Sequence, residues 1–396
     1  MMPPAALQGL RVLDLSRVLA GPMAAQILAD LGADVIKIER PGRGDDSREW
    51  APPMMVPAPQ SPLDESVYFW TCNRGKRSAT VDIASADGQA LVARLAREAD
   101  VIIENYKAGT LARYGLDYES LRAVNPRLVY CSITGFGQTG PYSDRAGYDT
   151  IIQALGGLMS ITGDPDGAPG GGPRKSGLAV VDQMTALYSV IAVLAALQER
   201  QVSGQGQWVD MSLLDVQVAA LTNIGMNYLA SGKVPGRMGN RLGTVYPSDN
   251  FQCSDGELML IVGNDMQFQR FCSVMGLTEL ASDPRFARNS DRLAHVAELE
   301  PLLRKAFAQK TVAECEALLS EAGVPAAPIN NIEQVFDDPQ VISRKLLREV
   351  RRPDGTVART LASPIRMSRS PMLDDRPPPR LGGHTADVQE GWPPLT

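Results

Sequence analysis

The run KSGLAVVDQMTALYSVIAVLAALQER, Lys175 to Arg200, carries a single carboxylate between Gly177 and Leu197, that of Asp182. Its neighbours are apolar or small. An Asp at the start of an apolar helical segment can cap the helix, accepting from free backbone N–H groups and complementing the dipole. Held beside apolar walls at a helix start, the same group is an oriented nucleophile or base. Local sequence leaves both readings open.

Other catalytic parts are scarce. The chain has two histidines, His295 in a polar helical run and His384 in a terminal Gly-rich turn, so a Ser-His-Asp or Cys-His arrangement has few possible members. Cys72, Cys131, Cys253, Cys272 and Cys315 are widely spaced and form no C-x-x-C pair, which fits reduced thiols in a cytoplasmic protein. The acidic pairs Asp45/Asp46 and Asp337/Asp338 read as turn or cap residues. With no His/Cys/Asp cluster at ligand spacing, no metal is expected.

Cations are better placed. Arg17, Arg40, Arg74, Lys76, Arg77, Lys107 and Arg113 fall near the ends of the early expected strands. In an open parallel sheet the ligand crevice lies at the carboxyl ends of the strands, so these residues are expected to converge on one mouth suited to a polyphosphate. Glu39 stands where a ribose-binding acid would end the second strand, and Arg40 after it suits a ribose phosphate, as in NADP or coenzyme A. The preceding loop speaks against a dinucleotide. SRVLAGP offers one glycine and a proline where G-x-G-x-x-G is needed.

The elements that must hold these residues alternate in type. A strand at Leu10 to Leu15, a helix at Pro22 to Leu31 ended by Gly32, and a strand at Val35 to Glu39 are followed by SATVDI, a helix opened by Ser85, DVIIEN, a short helix in ESLRAVN, and LVYCSITGFG. That alternation implies an α/β fold with a doubly wound, mainly parallel, Rossmann-like sheet. A Gly/Pro-rich loop, TGDPDGAPGGGPRKSG, leads into an apolar helix at 183 to 200, interrupted by polar residues and read as buried rather than membrane-spanning. DNFQCSDGELMLIVG reads as a hairpin around Asp255 and Gly256. The expected organisation is a large α/β domain at 1–205, a smaller α+β domain at 225–325, and a segment at 326–396 that returns to the large domain. At 396 residues two domains are expected; 44% hydrophobic and 21% charged residues describe a globular chain, and a net charge of −6 disfavours nucleic acid and anionic membranes as partners.

LRVLDLSRVLAGPMAAQILADLGADVIKIERPGRGD, CNRGKRSATVDI, ADVIIENYKAGTLARYGL, YCSITGFGQTGPYSDRAGYD, SGLAVVDQ, GQGQWVDMSLLD and GVPAAPINNIEQVFDDPQV, in this order, resemble the class III CoA-transferases, the formyl-CoA transferase family. RPGRGDDSREWAPP and PINNIEQVFDDPQV are most similar to the branch acting on short dicarboxylates with succinyl-CoA, which implies an acceptor such as glutarate. The resemblance implies two subunits interlocked as rings, coenzyme A as substrate, and no tightly bound cofactor. It places the catalytic aspartate at Asp182. Positions for CoA carried over by motif are Val18, Leu19 and Ala20; Arg40; Val81, Asp82, Ile83 and Ala84; Asn105, Tyr106 and Lys107; Arg113; and Tyr148.

By the same resemblance, Asp182 attacks a thioester and carries CoA as an aspartyl thioester, with backbone N–H groups at the helix start expected to meet the tetrahedral oxyanion. A basic position before GYD in formyl-specific members is Ala146 here. The covering glycine loop of some members is absent; RMGNRLG, with Gly239 and Gly243, is the nearest candidate. Arg48, Arg77, Arg237 and Arg241 are candidates for the distal carboxylate of a dicarboxylate. Three rivals stand beside this reading: an α-methylacyl-CoA racemase, disfavoured because Tyr148 replaces that group's histidine and a phenol of pKa about 10 is a poor neutral base; a non-catalytic CoA- or nucleotide-binding protein; and an NADP dehydrogenase.

Overall fold

The computed structural model describes residues 3–50, 54–55 and 65–393; the last three residues of RPGRGDDSREWAPP, 51–53, lie outside them. The chain divides into two compact units, one of residues 1–158, 176–229 and 339–396, the other of 159–175 and 230–338.

The first unit is built on six strands: β1 (Arg11–Asp14), β2 (Asp34–Glu39), β3 (Arg77–Thr80), β4 (Val101–Glu104), β5 (Val129–Thr134) and β6 (Trp208–Ser212). They lie in the order β3-β2-β1-β4-β5-β6, every pairing parallel, with Val12 opposite Val35 on one side and Val101 on the other. The order reverses between β1 and β4, and at such a switch point a crevice opens beyond the carboxyl ends of the strands. β2 is buried at all six positions, as expected of a strand covered on both faces. β6 escapes sequence reading because it is an edge strand with Trp208 and Asp210 exposed, so it lacks the continuous apolar run.

Alternation along the strands separates two cores. Val12, Val35, Val101 and Ile103 face helices α1 (Ala20–Asp30) and, later in the chain, Val180–Ser203. Leu13, Ile36 and Ile102 face α2 (Ala86–Glu98), together with Val388 and Trp392. Ser85 caps α2 through its hydroxyl, which accepts from the Gly88 N–H. The carboxyl-terminal segment is tied to the sheet: Trp392 Nε1 donates to Asp34 Oδ2 at 2.7 Å, and Thr80 N–H donates to Thr385 Oγ1 at 3.0 Å.

Two further helices position the site, α3 (Asp149–Leu155) and α4 (Val180–Ser203), which Gly204 ends in the left-handed conformation. α4 is not wholly buried. Val181, Ala186, Val190, Val193 and Leu197 lie in the core, whereas Leu187, Tyr188 and Ile191 are about half exposed, at 50%, 46% and 62%.

In the second unit, β7 (Ser248–Gln252) and β8 (Glu257–Ile261) form the hairpin expected around Asp255 and Gly256, and β9 (Ala326–Pro328) adds antiparallel to β8. Its core stacks Phe251 on Phe307 at 4.6 Å and Phe271 on Phe307 at 6.0 Å between ring centroids.

Candidate active site

Two cavities meet beyond the carboxyl ends of the central strands, both in the first unit. One, of about 260 Å³, is lined by Asp182, Val18 to Ala20, Asn105 to Lys107, Arg145 and Tyr148. The other, of about 210 Å³, is lined by Arg40, Val81 to Ile83, Tyr106 and Tyr114. Arg17 and Tyr106 line both, with the Arg17 guanidinium 5.1 Å from the Tyr106 ring centroid. Most positions carried over for CoA therefore fall on one continuous wall. Ala84 and Arg113 line neither cavity and are exposed.

Asp182 sits in the first turn of α4, but it is not the cap. The N-cap position is Ala179, whose side chain has no oxygen. Asp149, the first residue of α3, does the capping from outside: its Oδ2 accepts from the N–H of Val181 at 2.8 Å and of Asp182 at 3.1 Å. Asp149 is itself held by the Gln153 amide, whose oxygen accepts the Ser176 N–H at 2.8 Å. With the helix start satisfied by a second acid, no donor among the described residues engages the Asp182 carboxylate. Burial first, and then the charge of Asp149, pushes its pKa up to about 7. The Tyr68 hydroxyl nearby is pushed up to about 12 by burial and by the same Asp182 charge.

This arrangement narrows one expectation about catalysis, leaving the first helical amide, that of Val180, as the remaining candidate. The amides of Val181 and Asp182 are already bonded to Asp149, and Gln183 N–H donates to Ala179 O, so these groups cannot meet a tetrahedral oxyanion. Asp149 itself escaped notice because its partners lie more than 30 residues ahead in sequence, beyond the reach of any local capping pattern.

The cations divide into two classes. Arg74, Lys76 and Arg77 do not join the mouth: β3 begins at Arg77, and the three are paired with Asp30 at 2.6 Å, Asp14 at 2.8 Å and Asp34 respectively. Arg48 is buried, its guanidinium shared between Glu39 at 2.7 Å and Glu65 and lying over the Phe69 ring at 3.6 Å, so it is not placed to hold a substrate. Glu39 accepts from Arg48, from Ser78 Oγ at 2.6 Å and from Asp45 N–H at 3.0 Å, which leaves no role for it on a ribose. In the second unit Arg241 is held by Glu300 at 2.7 Å and Asp249 at 3.4 Å, and Arg237 by Asp166. Gly239 there donates its N–H to Gly163 O at 3.0 Å, with φ 63°.

Arg17 and Arg40 both lean on Asp46, at 3.3 and 3.2 Å, in partly exposed pairs of the kind worth little to stability and readily exchanged for a ligand phosphate. Lys107 and Arg145 line the Asp182 cavity and, among the described residues, meet no carboxylate. The Arg145 guanidinium lies 3.9 Å from the Tyr142 ring centroid. Sequence reading stopped one position short of it, at Ala146. Asn105 is committed to the backbone, accepting from Arg17 N–H at 2.8 Å and donating to Arg17 O at 2.7 Å.

Comparison with known proteins agrees with this architecture. The sequence model of CoA-transferase family III matches residues 7–385. A succinate–glutarate CoA-transferase of Agrobacterium fabrum is 50% identical over 386 residues, 98% of this chain and 95% of that protein. The human succinyl-CoA:glutarate CoA-transferase is 40% identical over 382 residues, 96% of this chain and 85% of that one. The crystal structure of a CAIB/BAIF family protein from Brucella suis, 47% identical, superposes with a TM-score of 0.87 over 98% of this chain and 99% of that one. The chain belongs to CoA-transferase family III and is an enzyme that exchanges coenzyme A between an acyl-CoA and a carboxylic acid.

Proposed function

We propose that this enzyme moves CoA from succinyl-CoA to a small dicarboxylate such as glutarate, through an aspartyl-CoA thioester on Asp182. The observation that carries the reading is the division of labour between two acids: Asp149 caps α4, and Asp182 is left in the cavity with no hydrogen-bond donor among the described residues. A desolvated carboxylate with its pKa near 7 is more basic, and so more nucleophilic, than a solvated one. The names of the 50% and 40% identical relatives supply the donor and acceptor.

In the first half-reaction the Asp182 carboxylate adds to the thioester carbonyl and expels CoA thiolate, leaving a mixed anhydride. The thiolate then attacks the aspartyl carbonyl and releases succinate, so the side chain carries CoA as a thioester. The acceptor carboxylate attacks that thioester to form a second anhydride, and the returning thiolate takes the acceptor's acyl group, restoring Asp182. Acyl bond energy is kept throughout, so water must be excluded rather than a cofactor supplied.

Arg40 and Val81 to Ile83 hold the adenosine end in the smaller cavity, and Lys107 and Val18 to Ala20 the chain leading to Asp182; the 3-2-1-4-5-6 order of the parallel sheet supports this Rossmann-like use of the crevice. The distal carboxylate of the acceptor meets Arg145, a planar cation that lines the Asp182 cavity with no acidic partner among the described residues. Leu187, Tyr188 and Ile191, exposed on α4, support a homodimer in which a second copy covers this helix. The deciding experiment incubates the enzyme with succinyl-CoA and a panel of acids, identifies the new thioesters by mass, and traps the intermediate with borohydride. Exchange without modification of Asp182 would refute the mechanism.

A further inference from the structure

Val18 has φ 74°, a left-handed conformation that is an outlier for a β-branched residue. It lies in the wall of the Asp182 cavity, one residue before Leu19, the N-cap of α1. Such a conformation persists only where its surroundings impose it, and here the restraints are explicit. The Val18 N–H donates to the Asp45 carboxylate, at 3.1 Å to Oδ1 and 3.3 Å to Oδ2. The Val18 carbonyl accepts from Cys72 Sγ at 3.4 Å, and the preceding residue, Arg17, is held at both its N–H and its carbonyl by the Asn105 amide.

Asp45 is itself fixed. It is 1% exposed, and its Oδ1 accepts from Ser47 N–H at 2.9 Å and Ser47 Oγ at 2.7 Å. Its Oδ2 lies 2.9 Å from the ammonium of Lys37, which is fully buried on β2 and also donates to Ser16 O at 2.7 Å. A charge anchored in the sheet thus reaches through one carboxylate to one strained amide in the cavity wall.

We propose that Asp45 is a positioning residue for CoA binding: by holding the Val18 N–H it keeps the Val18–Ala20 wall in the conformation that accepts the CoA ester. This rests on the reading of that wall as part of the CoA site. Glycine adopts positive φ readily, so the dependence on Asp45 must fade when residue 18 no longer resists the conformation.

The test is a double-mutant cycle read by calorimetric binding of free CoA and by the KM for succinyl-CoA. Asp45→Ala is expected to weaken binding about tenfold with Val18 present, and less than twofold in the Val18→Gly background, while kcat moves little. A purely structural Lys37–Asp45 pair would lower the melting temperature in both backgrounds without coupling to Val18. Equal loss of affinity in both backgrounds, or no loss in either, overturns the proposal. Should Asp45→Ala fail to fold, residue-resolved hydrogen exchange on the wild-type enzyme decides: slow exchange at the Val18 amide is expected, and free exchange there overturns it. A wild-type enzyme that binds no CoA would sink the function reading as well, whereas equal losses in the cycle sink this inference alone.

Discussion

Asp149 caps the helix that carries Asp182, and it does so by taking the N–H of Asp182 itself at 3.1 Å together with that of Val181 at 2.8 Å. One acid therefore fixes the backbone of the other and, by its negative charge, holds the neighbouring carboxyl in the protonated form to a higher pH. Substitution Asp149→Asn keeps an oxygen acceptor for the two amides and removes the charge. The Asp182 pKa is then expected to fall below 7, so the rise of kcat/KM with pH, which follows ionisation of Asp182, should move to lower pH. A profile unchanged from wild type would show that Asp149 exerts no electrostatic control. Asp149→Ala additionally loses the cap, about 1 kcal/mol of stability.

Asp182 pays for its chemistry in stability, and the sign can be worked out. Its folded pKa, about 7, lies above the unfolded value of 3.8. The native state thus holds the proton more tightly, and the stability this confers is complete below pH 4 and lost as pH rises through 7. Asp182→Asn should leave CoA binding intact and abolish exchange. It should match wild type in denaturant unfolding at pH 4 and exceed it at pH 8, by on the order of 2 kcal/mol after allowing for partial exposure. Equal stabilities at both pH values would mean that Asp182 is solvated as an ordinary surface acid.

Legibility in the sequence followed the range of the interactions. Strands β1 to β5 were readable because their apolar runs and turn residues are local, and Ser85 was readable as a cap because its partner, Gly88, is three residues away. Asp182 could be singled out as the lone carboxylate of an apolar run, but its freedom from capping depends on Asp149, whose partnership is made only by folding. The cations failed for a related reason. Residue type reveals a guanidinium, whereas its availability depends on acids elsewhere: Arg48 finds Glu39 and Glu65, and Arg77 finds Asp34. Arg145, which finds none among the described residues, carries no signal that sets it apart from them.

Arg48 should accordingly behave as a structural residue. Removing one member of a buried ion pair strands the others, at a typical cost of about 3–5 kcal/mol. Arg48→Ala would leave Glu39 and Glu65 without their shared partner, although Arg352 still reaches Glu65 at 2.7 Å. A lowered melting temperature with unchanged preference among acids is expected. A stable Arg48→Ala enzyme with altered acid preference would restore Arg48 to the substrate site.

Arg145 is where acid preference is expected to respond. Its guanidinium lines the cavity of Asp182, rests on the Tyr142 ring and has no carboxylate partner among the described residues. A bidentate contact with the far carboxylate of a dicarboxylate would be charge-assisted on both sides, worth roughly 1.5–3 kcal/mol, or about 10- to 150-fold in kcat/KM. A monocarboxylate of equal length makes no such contact, so Arg145→Gln should reduce turnover of glutarate by that factor while sparing the monocarboxylic acid. Because Arg145 is exposed and has no carboxylate partner among the described residues, the substitution should leave the melting temperature nearly unchanged, which separates lost recognition from lost folding. If both acids weaken equally and the affinity for free CoA, which has no distal carboxylate, falls with them, the guanidinium serves the CoA phosphates instead.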